Sequence, residues 1–278
     1  MTTAPVLFVS HGSPTFALEP NELGPALAQL GQQLTDVKAI LVLSPHWQTR
    51  GVSVMTTSTP QTIHDFGGFS EALYSLQYPA TGHPQLAAQA TQRLRQAGWA
   101  VNTDKQRGLD HGAWVPMHHL LPQANIPVFQ VSMPINLNTQ SAFKLGQDLY
   151  TLREHGVMII ASGSMTHNLY EFRHSNTAAQ DYAVEFSHWV REAVVNHDIG
   201  SLLDYRQRAP HAQRAHPTEE HFLPLLIALG ALGERGSHEN THIIDAGMTH
   251  GVLSMESYVW GMTMHTTHDA LLTQGVLA

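Results

Sequence analysis

The chain has 278 residues, 42% of them hydrophobic and 13% charged, which supports a sizeable core and excludes a disordered, collagenous or coiled-coil chain. A net charge of −8 with no cluster of basic residues argues against nucleic acid or an anionic membrane surface as partner. With no cysteine there is no disulfide, iron–sulfur cluster or thiolate zinc site, so any metal must rest on His, Asp or Glu, and 20 residues are His.

The first apolar run, residues 6–9, is too short for a signal peptide or a membrane span. It reads as a strand of a soluble, cytoplasmic protein. Along the chain there follow a helix over 22–34, a strand over 39–43, a helix over 85–97, a polar, Gly-containing loop over 104–116 and a strand over 128–131. A helix over 141–154, a strand over 157–161, helices over 178–196 and 221–232 and a strand over 241–244 complete the pattern, with a late strand near 252–255. Runs that are apolar on consecutive residues predict strands buried on both faces of a sheet, and the 3.6-residue periodicity between them predicts covering helices. No linker, repeat or low-complexity segment interrupts the chain. The pattern therefore predicts one α/β domain over residues 1–278, with a central, mostly parallel or mixed sheet flanked by helices on both faces.

Three of the apolar runs pass through Ser, Gly or Pro into a histidine. They are Val9-Ser10-His11-Gly12-Ser13-Pro14, Leu43-Ser44-Pro45-His46-Trp47 and Ala161-Ser162-Gly163-Ser164-Met165-Thr166-His167-Asn168. In open α/β sheets ligands bind beyond the carboxyl ends of the strands, so parallel strands would bring His11, His46 and His167 to one rim as a metal or acid–base site. A fourth segment, His216-Pro217-Thr218-Glu219-Glu220-His221, supplies further N and O ligands at the start of an apolar helix. The same segment also fits a plain helix start, with Thr218 as cap and Glu219 and Glu220 favoured by the helix dipole. Its spacing is neither His-Glu-x-x-His nor His-x-x-Glu-His, so a zinc peptidase is not indicated.

Together with Ile63-His64-Asp65-Phe66-Gly67-Gly68-Phe69 and Leu109-Asp110-His111-Gly112-Ala113-Trp114, these segments resemble, in the same order, the class III extradiol ring-cleavage dioxygenases, in particular the 4,5-DOPA dioxygenase branch. The resemblance implies a catechol substrate, DOPA- or caffeate-like, opened with O2 to a muconic semialdehyde, and one Fe(II) or Zn(II) ion per chain. It implies His11, His46 and His221 as metal ligands, with Glu220 as the rival third ligand. His167 is implied as acid–base catalyst, and as a ligand of zinc in some members. His111 is implied as a second catalytic histidine, and His64, Asp65 and Phe66 as a substrate-binding lid.

Two other classes fit the residues: a zinc hydrolase, since imidazole-bound Zn2+ lowers the pKa of its water to about 7, and a non-catalytic binding protein on the same fold. No Gly-x-Ser-x-Gly, Gly-x-Gly-x-x-Gly or phosphate-binding Gly-rich loop with Lys is present. His83, His155, His174, His188, His197, His238 and His268 are expected to be solvated, and His118, His119 and His250 to pack near the site. Trp47, Trp114 and Phe69 are expected as core or pocket wall. Arg50 and Arg173 are the nearest cations in sequence, and no pair of basic residues is placed to clamp a carboxylate on the ring.

Overall fold

The computed structural model describes residues 3–172 and 178–262. Its main sheet has six strands: β1 (Val6–Ser10), β2 (Ala39–Leu43), β3 (Val128–Gln130), β4 (Val157–Gly163), β5 (His242–Ile244) and β6 (Ser257–Trp260). Their spatial order is β3-β2-β4-β1-β6-β5. The first four run parallel, and β6 and β5 extend the sheet antiparallel beyond β1. Every residue of β1 to β4 is buried, which is why these runs are apolar on consecutive rather than alternate positions.

The helices are α1 (Leu23–Gly31), α2 (Pro84–Gln96), α3 (His111–Leu120), α4 (Thr139–Leu149), α5 (Asp181–Val195) and α6 (Leu223–Gly230), with shorter turns between them. Ser162 and Gly163 are neighbours on β4, so their side chains point to opposite faces. The Ser162 hydroxyl donates to the Gly112 carbonyl of α3, whereas a Cβ on Gly163 would lie 2.5 Å from the His221 carbonyl oxygen and 3.0 Å from Pro224 in α6. Only glycine allows α6 this approach. Helices thus cover both faces, α3 with α1 on one and α6 with α4 on the other, and α6, buried on all sides between the sheet and α4, is apolar all round.

The loop predicted over 104–116 needs correction. Val101–Asp104 is a strand paired in parallel with Val52–Met55, and α3 already begins at His111. Asp110 caps α3 by accepting from the Ala113 N–H at 3.2 Å, but Pro116 inside the helix and near-complete burial remove the amphipathic stripe by which a helix is read. His83, expected to be solvated, caps α2 instead, its Nδ1 accepting from the Leu86 N–H at 3.3 Å. Among the described residues no helix is long and apolar enough to cross a membrane.

The topology prepares a site. β4 enters the sheet between β1 and β2, with Ser10 beside Gly163 and Leu43 beside Ala161. The carboxyl ends of three adjacent parallel strands therefore share one rim, and the turns leaving β1 and β2 carry His11 and His46 there.

Candidate active site

His11 follows β1 directly, its backbone N–H donating to the Gly163 carbonyl at 3.0 Å. His46 lies in the turn after β2, and His221 lies just before α6. The Nε2 atoms of His11 and His46 are 3.2 Å apart, and one ligand nitrogen from each of His11, His46 and His221 falls within 4.8 Å of the other two.

Proton placement on these rings follows from their far nitrogens. Pro116 has no N–H, so the carbonyl of Gly112, four residues earlier in α3, has no intrahelical donor. The Ser162 hydroxyl takes that place and commits its only proton to Gly112. Ser162 Oγ can then only accept from His11 Nδ1, 2.9 Å away, which leaves the lone pair of His11 on Nε2. Gly112 has to be glycine: a Cβ there would sit 2.3 Å from Ser44 Oγ and 2.9 Å from the His46 ring.

At His221 a carboxylate plays the same part. Glu220 Oε1 accepts from His221 Nδ1 at 3.1 Å, and His221 Nε2 is buried with no hydrogen-bond partner. Thr218 is not a helix cap, since its hydroxyl bonds Glu220 Oε1 at 2.9 Å and the residue before α6, Phe222, makes no side-chain cap. His216, in the same segment, points elsewhere: fully buried, its Nε2 donates to the Met165 carbonyl at 2.9 Å.

Burial holds all these imidazoles neutral. His11 and His221 are lowered well below the usual histidine range, first by burial and then by one another and their neighbours. Burial likewise lowers His46 and His167 to about 4. Neutral rings with directed lone pairs are what a metal ion requires of histidine.

The cluster forms one end of a cleft of about 440 Å3, lined by His11, His46, His111, His167 and His221 together with Pro14, Phe66, Phe69, Leu169, Phe172 and Leu253. His167 stacks on His221, ring centroids 3.6 Å apart and planes 9° from parallel. It shares a 4.8 Å grouping of ligand atoms with Glu220 and His221 and not with His11 and His46. His111 lies against His46 with ring centroids 3.9 Å apart.

The three residues of the expected lid part company. Phe66 lines the cleft, with Phe69 beside it at a centroid distance of 5.5 Å. Asp65 turns inward, 3.1 Å from His111 Nδ1 and 3.8 Å from His46 Nδ1. Burial raises its pKa, but the His111 side chain and backbone N–H beside it outweigh that and hold it at about 2. His64 does not line the cleft; its Nε2 bonds the Leu76 carbonyl at 3.0 Å and its ring packs near Trp114. His119 packs on Phe16 and bonds its carbonyl at 2.8 Å. His250 stacks on the cleft residue Phe172, with centroids 4.4 Å apart.

Arg50 is exposed and outside the cleft, while Arg173, His174 and His268 lie outside the described residues. The cation that sequence reading missed is Arg107, which donates to Asp110 Oδ2 at 2.8 Å and lies over Trp47 at 5.0 Å. Its charge is spent on Asp110, which Gln130 also contacts at 2.9 Å, and among the described residues no Lys or Arg lines the cleft. Ser162 and Pro116 also went unread, because their roles depend on a neighbour some 50 residues away.

An α/β sheet whose strand ends gather neutral imidazoles under an aromatic-walled cleft defines a candidate metalloenzyme for a flat, apolar substrate. The orphaned His221 Nε2 and the facing Nε2 atoms of His11 and His46 fit a divalent metal, whose bonds to imidazole are about 2.0–2.1 Å long. Residues 6–254 match the family described as the catalytic LigB subunit of aromatic ring-opening dioxygenase. The chain is 38% identical to 4,5-DOPA dioxygenase extradiol of Beta vulgaris, over 92% of this chain and 96% of that protein. It is also 38% identical to the protein of the same description in Escherichia coli (strain K12), over 92% and 94%, and 30% identical to dioxygenase tasH of Hapsidospora irregularis, over 84% and 80%. A crystal structure of an uncharacterized Escherichia coli K12 protein superposes with a TM-score of 0.76 at 30% identity, covering 92% of this chain and 99% of that one. The chain belongs to the LigB family of aromatic ring-opening dioxygenases. That class, and neither a hydrolase nor a non-catalytic binding protein, is the one the family supports.

Proposed function

We propose that the chain acts as one catalytic domain that cleaves a catechol bearing an extended side chain, DOPA- or caffeate-like, by the extradiol route with O2 to a muconic semialdehyde. One Fe(II) ion would be held by His11, His46 and His221. The observation that carries this reading is the convergence of three neutral, lone-pair-directed imidazoles at one end of a cleft walled by Phe66, Phe69, Leu169 and Phe172. The same nitrogens accept zinc, but zinc has no redox chemistry and the family's reaction needs it. Glu220 is less suited than His221 as third ligand because its Oε1 is engaged by His221 Nδ1 and Thr218.

Fe(II), when bound, supplies open coordination positions and the electron transfer that lets an aromatic ring react with O2. The protein's part is positioning and proton handling. His167, neutral on the cleft wall, takes a catechol hydroxyl proton as general base, and the negative charge of the ionising substrate raises its basicity from the low value burial imposes. It returns the proton as the ring opens. His111 faces the same volume and supports the second hydroxyl or the oxygen atoms. The Phe and Leu side chains hold the ring by apolar contact and exclude water. With no cation among the described cleft residues, a carboxylate directly on the ring lacks its bidentate partner, whereas a side chain can carry its polar end outward.

Oxygen uptake by anaerobically Fe(II)-reconstituted protein, measured with L-DOPA, caffeate and protocatechuate, tests this. The reading expects one O2 consumed per catechol, a yellow product, and a higher kcat/KM for L-DOPA or caffeate than for protocatechuate. No uptake with any catechol by iron-loaded protein, or a preference for protocatechuate, overturns it.

A further inference from the structure

We propose that Asp65 is a positioning residue for His111, holding it in the tautomer that carries its proton on Nδ1 and turns the Nε2 lone pair into the cleft. The inference rests on the reading of His111 as a side chain that meets the substrate.

One carboxylate grips this residue twice. Asp65 Oδ1 accepts from the His111 backbone N–H at 2.9 Å, and Oδ2 lies 3.1 Å from His111 Nδ1. His111 is the first residue of α3, where backbone N–H groups have no intrahelical partner and the helix dipole favours an anion. Asp65 is therefore anchored by the helix start as much as it anchors the ring. A carboxylate oxygen offers only lone pairs, so a bare Nδ1 facing it at 3.1 Å would be repelled; the stable arrangement places the proton between them. Nδ1 makes no hydrogen bond of good geometry to any described residue, so the 3.1 Å approach of Asp65 Oδ2 is the one polar contact that decides where its proton sits. His111 is buried, with 6% of the residue exposed, and it lines the cleft. The same carboxylate lies 3.8 Å from His46 Nδ1, which favours the proton there too and leaves His46 Nε2 facing His11.

The family resemblance implied a lid residue that touches substrate, but Asp65 does not line the cleft. Its neighbour Phe66 does, with its ring 5.6 Å from that of His111. The dipeptide thus joins the aromatic wall to the imidazole beside it.

Asp65→Asn separates the proton's position from the shape of the site. Asn Oδ1 still accepts from the His111 N–H, but its amide group presents donors to Nδ1, so Nδ1 becomes the acceptor and the proton moves to Nε2. The tautomer is read by side-chain 15N NMR of metal-free and zinc-loaded protein, with the His111 signals assigned by their loss in His111→Gln. The proposal expects an Nδ1–H tautomer in the wild type and an Nε2–H tautomer in Asp65→Asn. At saturating Fe(II), kcat should fall by about 10²–10⁴-fold with KM and metal content unchanged, and Asp65→Glu should recover part of the rate. An Nε2–H tautomer in the wild type, or no change of tautomer in Asp65→Asn, overturns the inference even if His111→Gln is inactive. A tautomer that flips while kcat stays constant supports Asp65's role and overturns instead the reading of His111 as a reacting partner.

Discussion

Ser162 Oγ lies 2.9 Å from His11 Nδ1 and can only accept there, because its proton is held by the Gly112 carbonyl that Pro116 leaves free. A missing N–H in one helix thus decides which nitrogen of a histidine at the end of the neighbouring strand carries a lone pair into the site. Ser162→Ala should lower metal affinity by about 10–100-fold, the usual range for losing a group that orients a ligand. Pro116→Ala restores a competing N–H and should weaken binding less. Competition against a chelator checks both; unchanged affinity in Ser162→Ala would show that His11 needs no such partner.

Gly112→Ala tests the close approach of α3 to His46. Alanine favours a helix over glycine by roughly 0.5–1 kcal/mol, but here the added carbon meets Ser44 Oγ and the His46 ring, both within 3 Å. Overpacking of this kind costs typically about 1–3 kcal/mol and should win. A melting temperature lower by a few degrees together with weaker metal binding is expected, and a raised melting temperature with normal metal binding would refute the packing argument.

Leu169 lines the cleft yet is 62% exposed, so a longer side chain there needs no room in the core. Leu169→Arg supplies the cation the described cleft lacks. A hydrogen bond to a charged group is worth about 1.5–3 kcal/mol, so the ratio of kcat/KM for protocatechuate over L-DOPA should rise by about tenfold or more. A ratio unchanged in the variant would mean that charge at this wall does not select substrate.

His216 adds a pH dependence to stability without lining the cleft. Burial lowers its pKa to about 3. Above pH about 6.5 the ring is neutral whether the chain is folded or not, and it adds no slope. As pH falls from there to about 3, the unfolded chain binds a proton that the folded chain refuses, so stability decreases by up to about 1.4 kcal/mol per pH unit. His216→Gln keeps a donor for the Met165 carbonyl and removes the titration. Urea unfolding across this range should show a shallower pH dependence than the wild type, and equal slopes would contradict the assignment.

The parallel core of the sheet was legible because buried strands must be apolar at every position, as Ala39–Leu43 is. The histidines at its rim were legible because strand ends in such sheets collect ligands. Helix His111–Leu120 was not, since a helix buried on almost every side has no polar face and Pro116 reads as a break. The lid expectation was legible only in part: His64, Asp65 and Phe66 are consecutive, but only Phe66 lines the cleft, while Asp65 answers to a helix start 46 residues on. Leu169 and Phe172 carry no pattern of their own and become cleft walls only when β4 falls between β1 and β2.

The most direct test of the account is the iron content of protein reconstituted with Fe(II) without oxygen, compared across single variants. One ion per chain is expected in the wild type, in His167→Ala and in Glu220→Gln under saturating metal, and near zero in His11→Ala, His46→Ala and His221→Ala, each with an unchanged fold by circular dichroism. Full retention in those three variants, or loss that follows Glu220→Gln or His167→Ala instead, would contradict a three-imidazole iron centre.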